Sequence, residues 1–284
     1  MTVSINRLLA CATFTMLASC AQVATVSDSV SDAVTGQKAD SVNSKTLRVE
    51  DKLFTPQFGP VEFADAFGSR ELGPHGTFGK FPAGFETPAH IHSHGYRAVV
   101  LSGEMTNPFE GETNPPVMSP GSYWSVAAGH DHTTACVSDT PCEFLMWGNE
   151  KFDFIADGNN ASVVNDIVTS VTLPEADKTF TPQFGPVEFA DAFGSRETGP
   201  HGTFGKFPAA FETPVHTHSH GYRAIVLQGE MTNPFNGDAN PPIMKPGSFW
   251  SVAAGESHTT ACVSDTPCEF LMWGDRNFDF IAAQ

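Results

Sequence analysis

Hydrophobic residues recur along this chain in short runs separated by turn-forming sequences. Runs rich in β-branched and aromatic residues occupy residues 96–106, 123–127, 132–137 and 143–147. Asn-Pro, Pro-Gly, Ala-Gly and Asp-Thr-Pro bound them, and these sequences favour turns. Phe63 and Phe67 have helical spacing, but glycines on both sides restrict any helix there to a short piece. The pattern predicts an all-β protein, an antiparallel sandwich or barrel.

The whole pattern occurs twice. Residues 54–156 align without a gap onto residues 180–282 at a constant offset of 126, and 86 of the 103 aligned positions are identical. A unit of this length can bury its own core, so each copy is expected to be a domain. We assign residues 53–157 to the first domain and residues 179–284 to the second. The linker between them, residues 158–178, is partly apolar, which leaves open whether it packs as a strand or arm or hangs free.

The N-terminal residues predict a targeting segment, residues 1–19. Arg7 is followed by an apolar stretch and then by Leu-Ala-Ser before Cys20. This ending resembles the lipobox of bacterial lipoproteins, in which the cysteine becomes the lipidated first residue. The resemblance implies export and a periplasmic or outer-membrane-anchored lipoprotein, held to the membrane through the lipid on Cys20 alone. Ordinary secretion is the alternative. Residues 20–52, rich in Ser, Asp, Val and Thr, are expected to form a flexible tether.

The cysteines agree with export. Of six, Cys11 lies in the targeting segment and Cys20 would be lipidated, which leaves one C-x5-C pair in each repeat. Each pair encloses Val-Ser-Asp-Thr-Pro, a turn sequence that can return a strand beside its partner. Disulfides persist in oxidising compartments, so two local bonds are expected, although a zinc-binding thiol pair is an alternative. The predicted pairs are Cys136 with Cys142 and Cys262 with Cys268.

The charge of the chain excludes one class of partner. The formal net charge is -17, and no basic run occurs in the sequence. A protein that binds phosphate backbones needs clustered lysines and arginines, so nucleic acid is not expected as a partner. A small-molecule substrate or ligand is expected instead.

The histidines of each repeat follow the periodicity of a strand. His90, His92 and His94 alternate with other residues, Tyr96 continues the series, and His132 is isolated further along. Residues two apart on a strand share a face, so these side chains would project to one side. Imidazoles packed together leave polar nitrogens without partners, which a metal ion satisfies. The second repeat has His216, His218, His220, Tyr222 and His258 at the equivalent positions.

This spacing resembles the two motifs of the cupin family. The first, G-x5-H-x-H-x3/4-E-x6-G, is similar to Gly84-x5-His90-x-His92-x3-Tyr96-x6-Gly103. The second, G-x5-P-x-G-x2-H-x3-N, is similar to Gly121-x5-Ala127-x-Gly129-x2-His132-x3-Cys136. The resemblance implies two tandem cupin-type β-barrels, or jelly rolls. It implies the metal ligands His90, His92, His132, His216, His218 and His258, with His94 and His220 as extra ligands if a bulge shifts the strand.

The departures from the cupin motifs bear on the chemistry. The usual glutamate is Tyr96 or Tyr222, which leaves a neutral three-histidine face. Such a face suits a divalent transition metal, namely Fe, Zn, Mn, Ni or Cu. Tyr96 and Tyr222 are the candidate catalytic residues, and three roles stay open for them: a weak fourth ligand, a proton-transfer group, or a wall of the barrel.

Three functions are consistent with this site. The first is a metal-dependent oxygenase of small organic molecules. The second is a metal-dependent lyase in which the tyrosine acts as a base. The third is a surface lipoprotein that captures a ligand or a metal without turnover.

Other polar residues are expected away from this site. His75 and His201 are assigned a surface or rim position, and His130 a solvated turn. Arg97 and Arg223 are expected on the surface, because they lie on the strand face opposite the tyrosines.

Overall fold

A computed structural model of the chain describes residues 42–156, 162–164, 167–235 and 237–283. These residues form twenty β-strands and two 3-10 turns, and none of them belongs to an α-helix, which confirms the all-β prediction. The targeting segment, the predicted lipidation site Cys20 and residues 21–41 of the tether lie outside the described residues. Within those residues, no helix is long and apolar enough to cross a membrane.

The first repeat contains eight strands, and one short strand and a 3-10 turn (Val49–Asp51) precede it. The strands are β1 (Lys45–Leu47), β2 (Thr55–Pro56), β3 (Glu62–Gly68), β4 (His75–Phe81), β5 (Tyr96–Ser102), β6 (Met105–Thr106), β7 (Tyr123–Val126), β8 (Ala135–Cys136) and β9 (Cys142–Gly148).

The second repeat follows the same plan, again after a short strand and a 3-10 turn (Glu175–Asp177). Its strands are β10 (Val171–Leu173), β11 (Thr181–Phe184), β12 (Val187–Gly194), β13 (His201–Phe207), β14 (His216–Thr217), β15 (Tyr222–Gln228), β16 (Met231–Thr232), β17 (Phe249–Val252), β18 (Ala261–Cys262), β19 (Cys268–Gly274) and β20 (Ile281–Ala282).

Each repeat is built on one seven-stranded antiparallel sheet. The strand order is β10-β7-β5-β9-β4-β3-β2 in the first repeat and β1-β17-β15-β19-β13-β12-β11 in the second. Three two-stranded sheets accompany them, β6-β8, β16-β18 and β14-β20. Every strand pair is antiparallel with its neighbour, as expected for strands joined by turns rather than by crossover helices.

The segment that precedes each repeat pairs with the other repeat. We call residues 42–52 and residues 168–178 the two arms. β1 in the first arm pairs with β17 of the second repeat, and β10 in the second arm pairs with β7 of the first repeat. The prediction of a flexible tether is therefore wrong for residues 42–52. The second arm, which is the last part of the linker, packs through its strand β10 and does not hang free.

The central strands are buried on both faces, which explains why they lack polar alternation. In β9, Phe144 and Met146 point into the core of the first barrel, whereas Leu145 and Trp147 point into a second core that contains residues of both repeats. Trp147 stacks on Trp273 of the second repeat there, with ring centroids 4.5 Å apart. The two repeats thus share one apolar interface.

The helical spacing of Phe63 and Phe67 has a strand explanation. Both lie in β3, where the register shifts between Asp65 and Phe67. Such a bulge exchanges the faces that the following side chains occupy. Phe63 accordingly packs in the first barrel, and Phe67 packs in the interface between the repeats.

Both predicted disulfides are confirmed. Cys136 is bonded to Cys142 and Cys262 to Cys268, with a Cα–Cα distance of 5.7 Å in each pair. The bonds join the short strands β8 and β18 to the starts of β9 and β19 across the predicted turns.

Candidate metal centre

Strand pairing brings the motif histidines of the first repeat together. His90 and His132 are direct antiparallel partners, and each backbone N–H donates to the carbonyl of the other at 3.0 and 3.1 Å. His92 lies two residues after His90 and therefore on the same face. All three residues are buried.

One ligand nitrogen of each histidine converges on a common point. The ligand atoms of His90, His92 and His132 lie within 4.8 Å of one another. This separation is one that a single cation with bonds of about 2 Å can bridge. The second repeat forms the same cluster from His216, His218 and His258. Each repeat thus brings together the three histidines that the motifs assigned as its metal ligands.

Backbone carbonyls orient the three imidazoles. The Nδ1–H groups of His90 and His132 donate to the carbonyls of Pro88 and His130 at 2.9 and 3.0 Å, and that of His92 donates to Asp153 O. A histidine that donates from Nδ1 presents the lone pair of Nε2 on its other side. In the second repeat, His216 donates to the carbonyl of Pro214, His218 to that of Asp279 and His258 to that of Glu256. Nδ1 is thus occupied in each of these rings, and Nε2 is the nitrogen that can bind a metal.

The electrostatics of the cluster favour neutral imidazoles. Burial lowers the pKa of His90, lowers that of His92 well below its ordinary value, and lowers that of His132 to about 3. Burial likewise lowers the pKa of His216 to about 4 and of His218 to about 3. The neutral form is the one that binds metal, because a protonated Nε2 has no lone pair.

The residues present fit a divalent transition metal. The Nε2 atoms of His92 and His218 are buried and have no hydrogen-bond partner. Buried polar atoms without partners are costly, and a coordinated cation removes that cost. Three neutral nitrogen donors without a carboxylate match the preferences of Zn, Fe, Cu, Ni and Mn rather than those of Mg or Ca.

A segment that sequence reasoning missed packs against the cluster. Phe152, Asp153 and Phe154 follow β9, and Ile155 pairs with Ile91 beside the histidines. Phe154 stacks on the His90 ring at 4.1 Å, and Phe152 lies 4.5 Å from the His92 ring. The Asp153 carboxylate accepts a hydrogen bond from the backbone N–H of Ser93 at 2.8 Å. The repetition of Phe-Asp-Phe as residues 278–280 was the available sequence signal.

Tyr96 lies inside the barrel beside the cluster. The indole N–H of Trp124 donates to Tyr96 Oη at 3.2 Å, and Oη lies 3.3 Å from His132 Nε2. Because Oη already accepts from Trp124, its own hydrogen is available to His132 Nε2 or to the Thr134 side chain, which also hydrogen-bonds to Tyr96. Burial raises the pKa of Tyr96 to about 12. Tyr222 has the same contacts with Trp250 and His258.

The remaining predicted histidines lie outside the two clusters. His94 and His220 are not among the clustered ligands in the described part of the chain. His130 stacks on Phe109 at 4.8 Å and bonds to Ser170 Oγ. It is therefore half-buried against these two residues rather than free in a solvated turn.

The prediction of surface positions is wrong for four residues, namely His75, His201, Arg97 and Arg223. His75 and His201 are each 1% exposed, because they begin the central strands β4 and β13. Arg97 and Arg223 lie over Phe193 and Phe67 of the opposite repeat, each at 4.1 Å. The strand face opposite the tyrosines is the interface between the repeats, which covers both arginines.

A cavity of about 40 Å³ adjoins the first cluster. Its wall contains His90, His92 and Tyr96, two threonines and otherwise apolar side chains. Phe58 and Phe154 belong to this wall and are 43% and 38% exposed, so they mark the side open to solvent. Their rings lie 5.8 Å apart.

Comparison with solved structures identifies the fold. Oxalate decarboxylase from Lactobacillus farciminis is 14% identical with a TM-score of 0.59, and the match covers 85% of this chain and 89% of that one. A proposed dioxygenase from Nostoc punctiforme is 14% identical with a TM-score of 0.62, covering 86% and 85%. Oxalate decarboxylase from Bacillus subtilis is 12% identical with a TM-score of 0.56, covering 87% and 80%. Matches along most of both chains show a bicupin fold made of two jelly rolls.

The sequence itself gives a family. No curated protein matches the chain at a significant level. One family model, described as a domain of unknown function, matches residues 66–158 and again residues 191–282, which together are most of the two repeats. The chain therefore belongs to the DUF4437 family and contains its domain twice.

Proposed function

We propose that each three-histidine cluster binds one divalent transition metal and that the protein is a metal-dependent enzyme, oxygenase-like, acting on a small organic molecule. The observation that carries the proposal is the convergence of three neutral Nε2 donors, each fixed by a carbonyl at Nδ1. A purely structural metal is disfavoured, because the disulfides and two apolar cores already hold each barrel.

The solved relatives support metal chemistry on small molecules. Two are oxalate decarboxylases, one is a proposed dioxygenase, and one study of the Bacillus subtilis enzyme concerns its Mn(II) centres. Their identity to this chain is low, so they favour a class of chemistry and not a substrate.

The residues of the chain have separable roles in this proposal. A bound divalent metal supplies Lewis-acid polarisation of a coordinated oxygen and, for Fe or Cu, redox chemistry. His90, His92 and His132 hold it with neutral nitrogens. The phenylalanines around the cavity exclude water, which strengthens electrostatic interactions inside. Tyr96 keeps a phenol proton beside the centre, and once the metal occupies His132 Nε2 it can donate a hydrogen bond to a bound substrate oxygen.

The direction of the Tyr96 hydrogen bonds favours a second candidate, a lyase. The lyase expected from the sequence uses the tyrosine as a base that removes a proton. Trp124 donates to Oη, and burial raises the Tyr96 pKa to about 12, so the phenol is protonated in the metal-free site. A lyase at this site would use Tyr96 as a proton donor to a substrate carbanion.

Turnover assays distinguish these candidates from a non-enzymatic binder. Protein reconstituted with Fe(II) or Mn(II) is incubated with small organic acids and ketones while dissolved O2 and products are measured. Consumption of O2 together with substrate supports the oxygenase, and product formation without O2 supports the lyase. Saturable binding without turnover would contradict both. Tyr96→Phe with Tyr222→Phe is expected to keep the metal and to lose at least tenfold in kcat.

We further propose that the protein is exported and anchored through a lipid on Cys20. The two disulfides support export, because such bonds persist in oxidising compartments. Mass spectrometry of the N-terminal peptide from membrane fractions tests the proposal. A diacylglyceryl-modified Cys20 is expected, and an unmodified N-terminus created by cleavage elsewhere would contradict it.

A further inference from the structure

The start of each arm contacts the loop that precedes the isolated motif histidine. In the first repeat this loop is residues 127–131, which connect β7 to His132. The hydroxyl oxygen of Ser170, in the second arm, accepts from the Ala127 N–H at 2.9 Å and lies 2.6 Å from His130 Nδ1. A hydroxyl can accept one hydrogen bond and share another, so this single side chain holds the loop at two points.

The loop is in turn bonded to two metal ligands. The carbonyl of His130 accepts from His132 Nδ1 at 3.0 Å and so orients the ring of that ligand. The N–H of Gly129 donates to the carbonyl of His92 at 2.9 Å. A displacement of the loop would therefore move His132 relative to His92, and with it the separation of the two Nε2 atoms that a metal bridges.

The linker before the second arm packs against the same region. The N–H of Val164 donates to the carbonyl of Ser93, the residue after His92, at 3.0 Å. A Cβ on Gly129 would lie only 3.0 Å from both methyl carbons of Val163. The part of the chain that leads into the second repeat thus contacts both segments that carry metal ligands of the first.

The first arm makes the equivalent contact with the second repeat. Ser44 Oγ accepts from the Ala253 N–H at 3.0 Å, and the Gly255 N–H donates to the carbonyl of His218 at 2.9 Å. The arms share Val, Ser, Thr, Leu, Asp and Lys, which is six of their eleven aligned positions, so five differ. The serine is retained although the arms differ more than the repeats do.

Other contacts hold the arms in place without these serines. In the second arm, β10 pairs with β7, Leu173 packs in the interface between the repeats, and Lys178 forms an ion pair with Glu269. Leu47 and Lys52 make the corresponding contacts in the first arm. Loss of one serine hydroxyl should therefore leave the arm docked.

Building on the proposed metal site, we infer that Ser170 and Ser44 are positioning residues, each for metal ligands of the repeat on which its arm docks. The metal site of each repeat is completed by the arm that precedes the other repeat, so the two barrels are coupled through their arms. Coupling between two binding events is reciprocal, and a bound metal therefore stabilises the docked arm.

The zinc affinity of single sites tests this inference. His218→Ala is expected to leave zinc binding at the first site only, and His92→Ala at the second site only. In the His218→Ala chain, Ser170→Ala should lower the zinc affinity about fivefold, somewhat less than the tenfold or more typical of residues that contact a ligand directly. Ser44→Ala should have no effect in that chain. In the His92→Ala chain the two serine variants should exchange their effects, as measured by competition titration with a chelating dye.

Thr169→Ala is the matched control. Thr169 is the exposed neighbour of Ser170 and contacts Ser125 through its backbone carbonyl, which the substitution keeps. The control should bind zinc as tightly as its parent chain. Equal weakening of both sites by Ser170→Ala would show a general loss of stability and would contradict the inference.

Hydrogen exchange measures the reciprocal effect. In the His218→Ala chain, zinc is expected to slow amide exchange in residues 168–178 more than in residues 42–52, and Ser170→Ala should reduce this difference. Arms that exchange equally fast with and without zinc would overturn the coupling.

The outcomes separate this inference from the proposed function. A native chain that binds no zinc would overturn the metal site itself. Two zinc ions bound by the native chain, with both serine variants at the affinity of their parent chains, would overturn only the role of the arms.

Discussion

Ala210 adopts a left-handed backbone conformation that favours glycine, and the equivalent residue of the first repeat is a glycine. Its φ is 57°, and Gly84 at the equivalent position has a φ of 69°. Left-handed conformations cost L-residues other than glycine about 1–2 kcal/mol. A Cβ at Gly84 would meet nothing within 4 Å, so the cost comes from the backbone and not from a clash.

Ala210→Gly is therefore expected to stabilise the protein. The expected gain is about 1 kcal/mol in the free energy of unfolding, and Gly84→Ala should lose a similar amount. Urea unfolding of the two variants beside the native chain measures both effects. Equal free energies of unfolding for all three proteins would contradict this prediction, because the left-handed conformation would then cost nothing at either position.

At the same scale, Asp153 is expected to act on the metal through His92. Its carboxylate anchors the Ser93 N–H, and its carbonyl accepts from His92 Nδ1. Asp153→Ala should loosen this carbonyl and lower the zinc affinity of the first site about tenfold, an effect typical of residues behind a metal ligand. Competition titration with a chelating dye measures the affinity. Glu112→Ala, at an exposed position outside the cavity wall, is the control that should leave it unchanged.

At the scale of elements, the exchanged arms join the repeats. The hydroxyl of Ser251 donates to Asn43 O and that of Ser125 to Thr169 O, each at 2.6 Å, so the two contacts are reciprocal. Lys178 at the end of the second arm forms an ion pair of 2.5 Å with Glu269, and both side chains are nearly inaccessible. A Cβ on Gly121 of the first repeat would lie 3.0 Å from the Lys178 amine.

Removal of this lysine is expected to be destabilising. Lys178→Met leaves Glu269 buried with only the half-exposed Lys206 nearby, at 3.6 Å. A buried charge that loses its partner costs several kcal/mol, and we expect about 3 kcal/mol here. Thermal unfolding measures the change, and the double variant Lys178→Met with Glu269→Gln should recover most of it. A double variant as unstable as the single one would place the cost in lost packing instead.

At the scale of the whole molecule, buried histidines outside the metal clusters make the fold sensitive to acid. Burial lowers the pKa of His75 and lowers that of His201 to about 4. Below the unfolded pKa of about 6.5, the unfolded chain binds protons at these sites and the folded chain does not. The free energy of unfolding therefore falls as the pH decreases from 6.5 toward 4, by up to about 1.4 kcal/mol per pH unit for each histidine.

This dependence can be assigned by substitution. His75→Asn with His201→Asn is expected to reduce the slope of stability against pH between 6.5 and 4, and to leave the slope above pH 7 unchanged. Chemical unfolding at a series of pH values measures the slope. An identical slope in the variant would assign the acid sensitivity to other groups.

Local spacing made part of this molecule predictable from sequence. The period-two histidines, the C-x5-C pairs and the turn sequences act over a few residues, so the pairing of His90 with His92, the disulfides and the all-β fold followed from them. The place of His132 in the cluster came from the resemblance to the cupin motifs. The exchanged arms followed from neither, because β7 and β17 are nearly identical edges, and Lys45–Leu47 could pair with either. The burial of Arg223 depends on the interface between the repeats, and that of His75 on Glu150 and Phe152 in the segment after β9. No local pattern reveals either contact.

All of the proposed chemistry depends on metal binding by both clusters, each through three histidines. Elemental analysis of protein purified without chelators tests it directly, with the double variant His92→Ala and His218→Ala beside the native chain. The account predicts about two metal ions per native chain and none in the variant, because removal of one of three ligands takes away most of the affinity. Circular dichroism should show a folded variant, since the disulfides and both barrel cores remain. Metal retained by the folded variant would contradict the account.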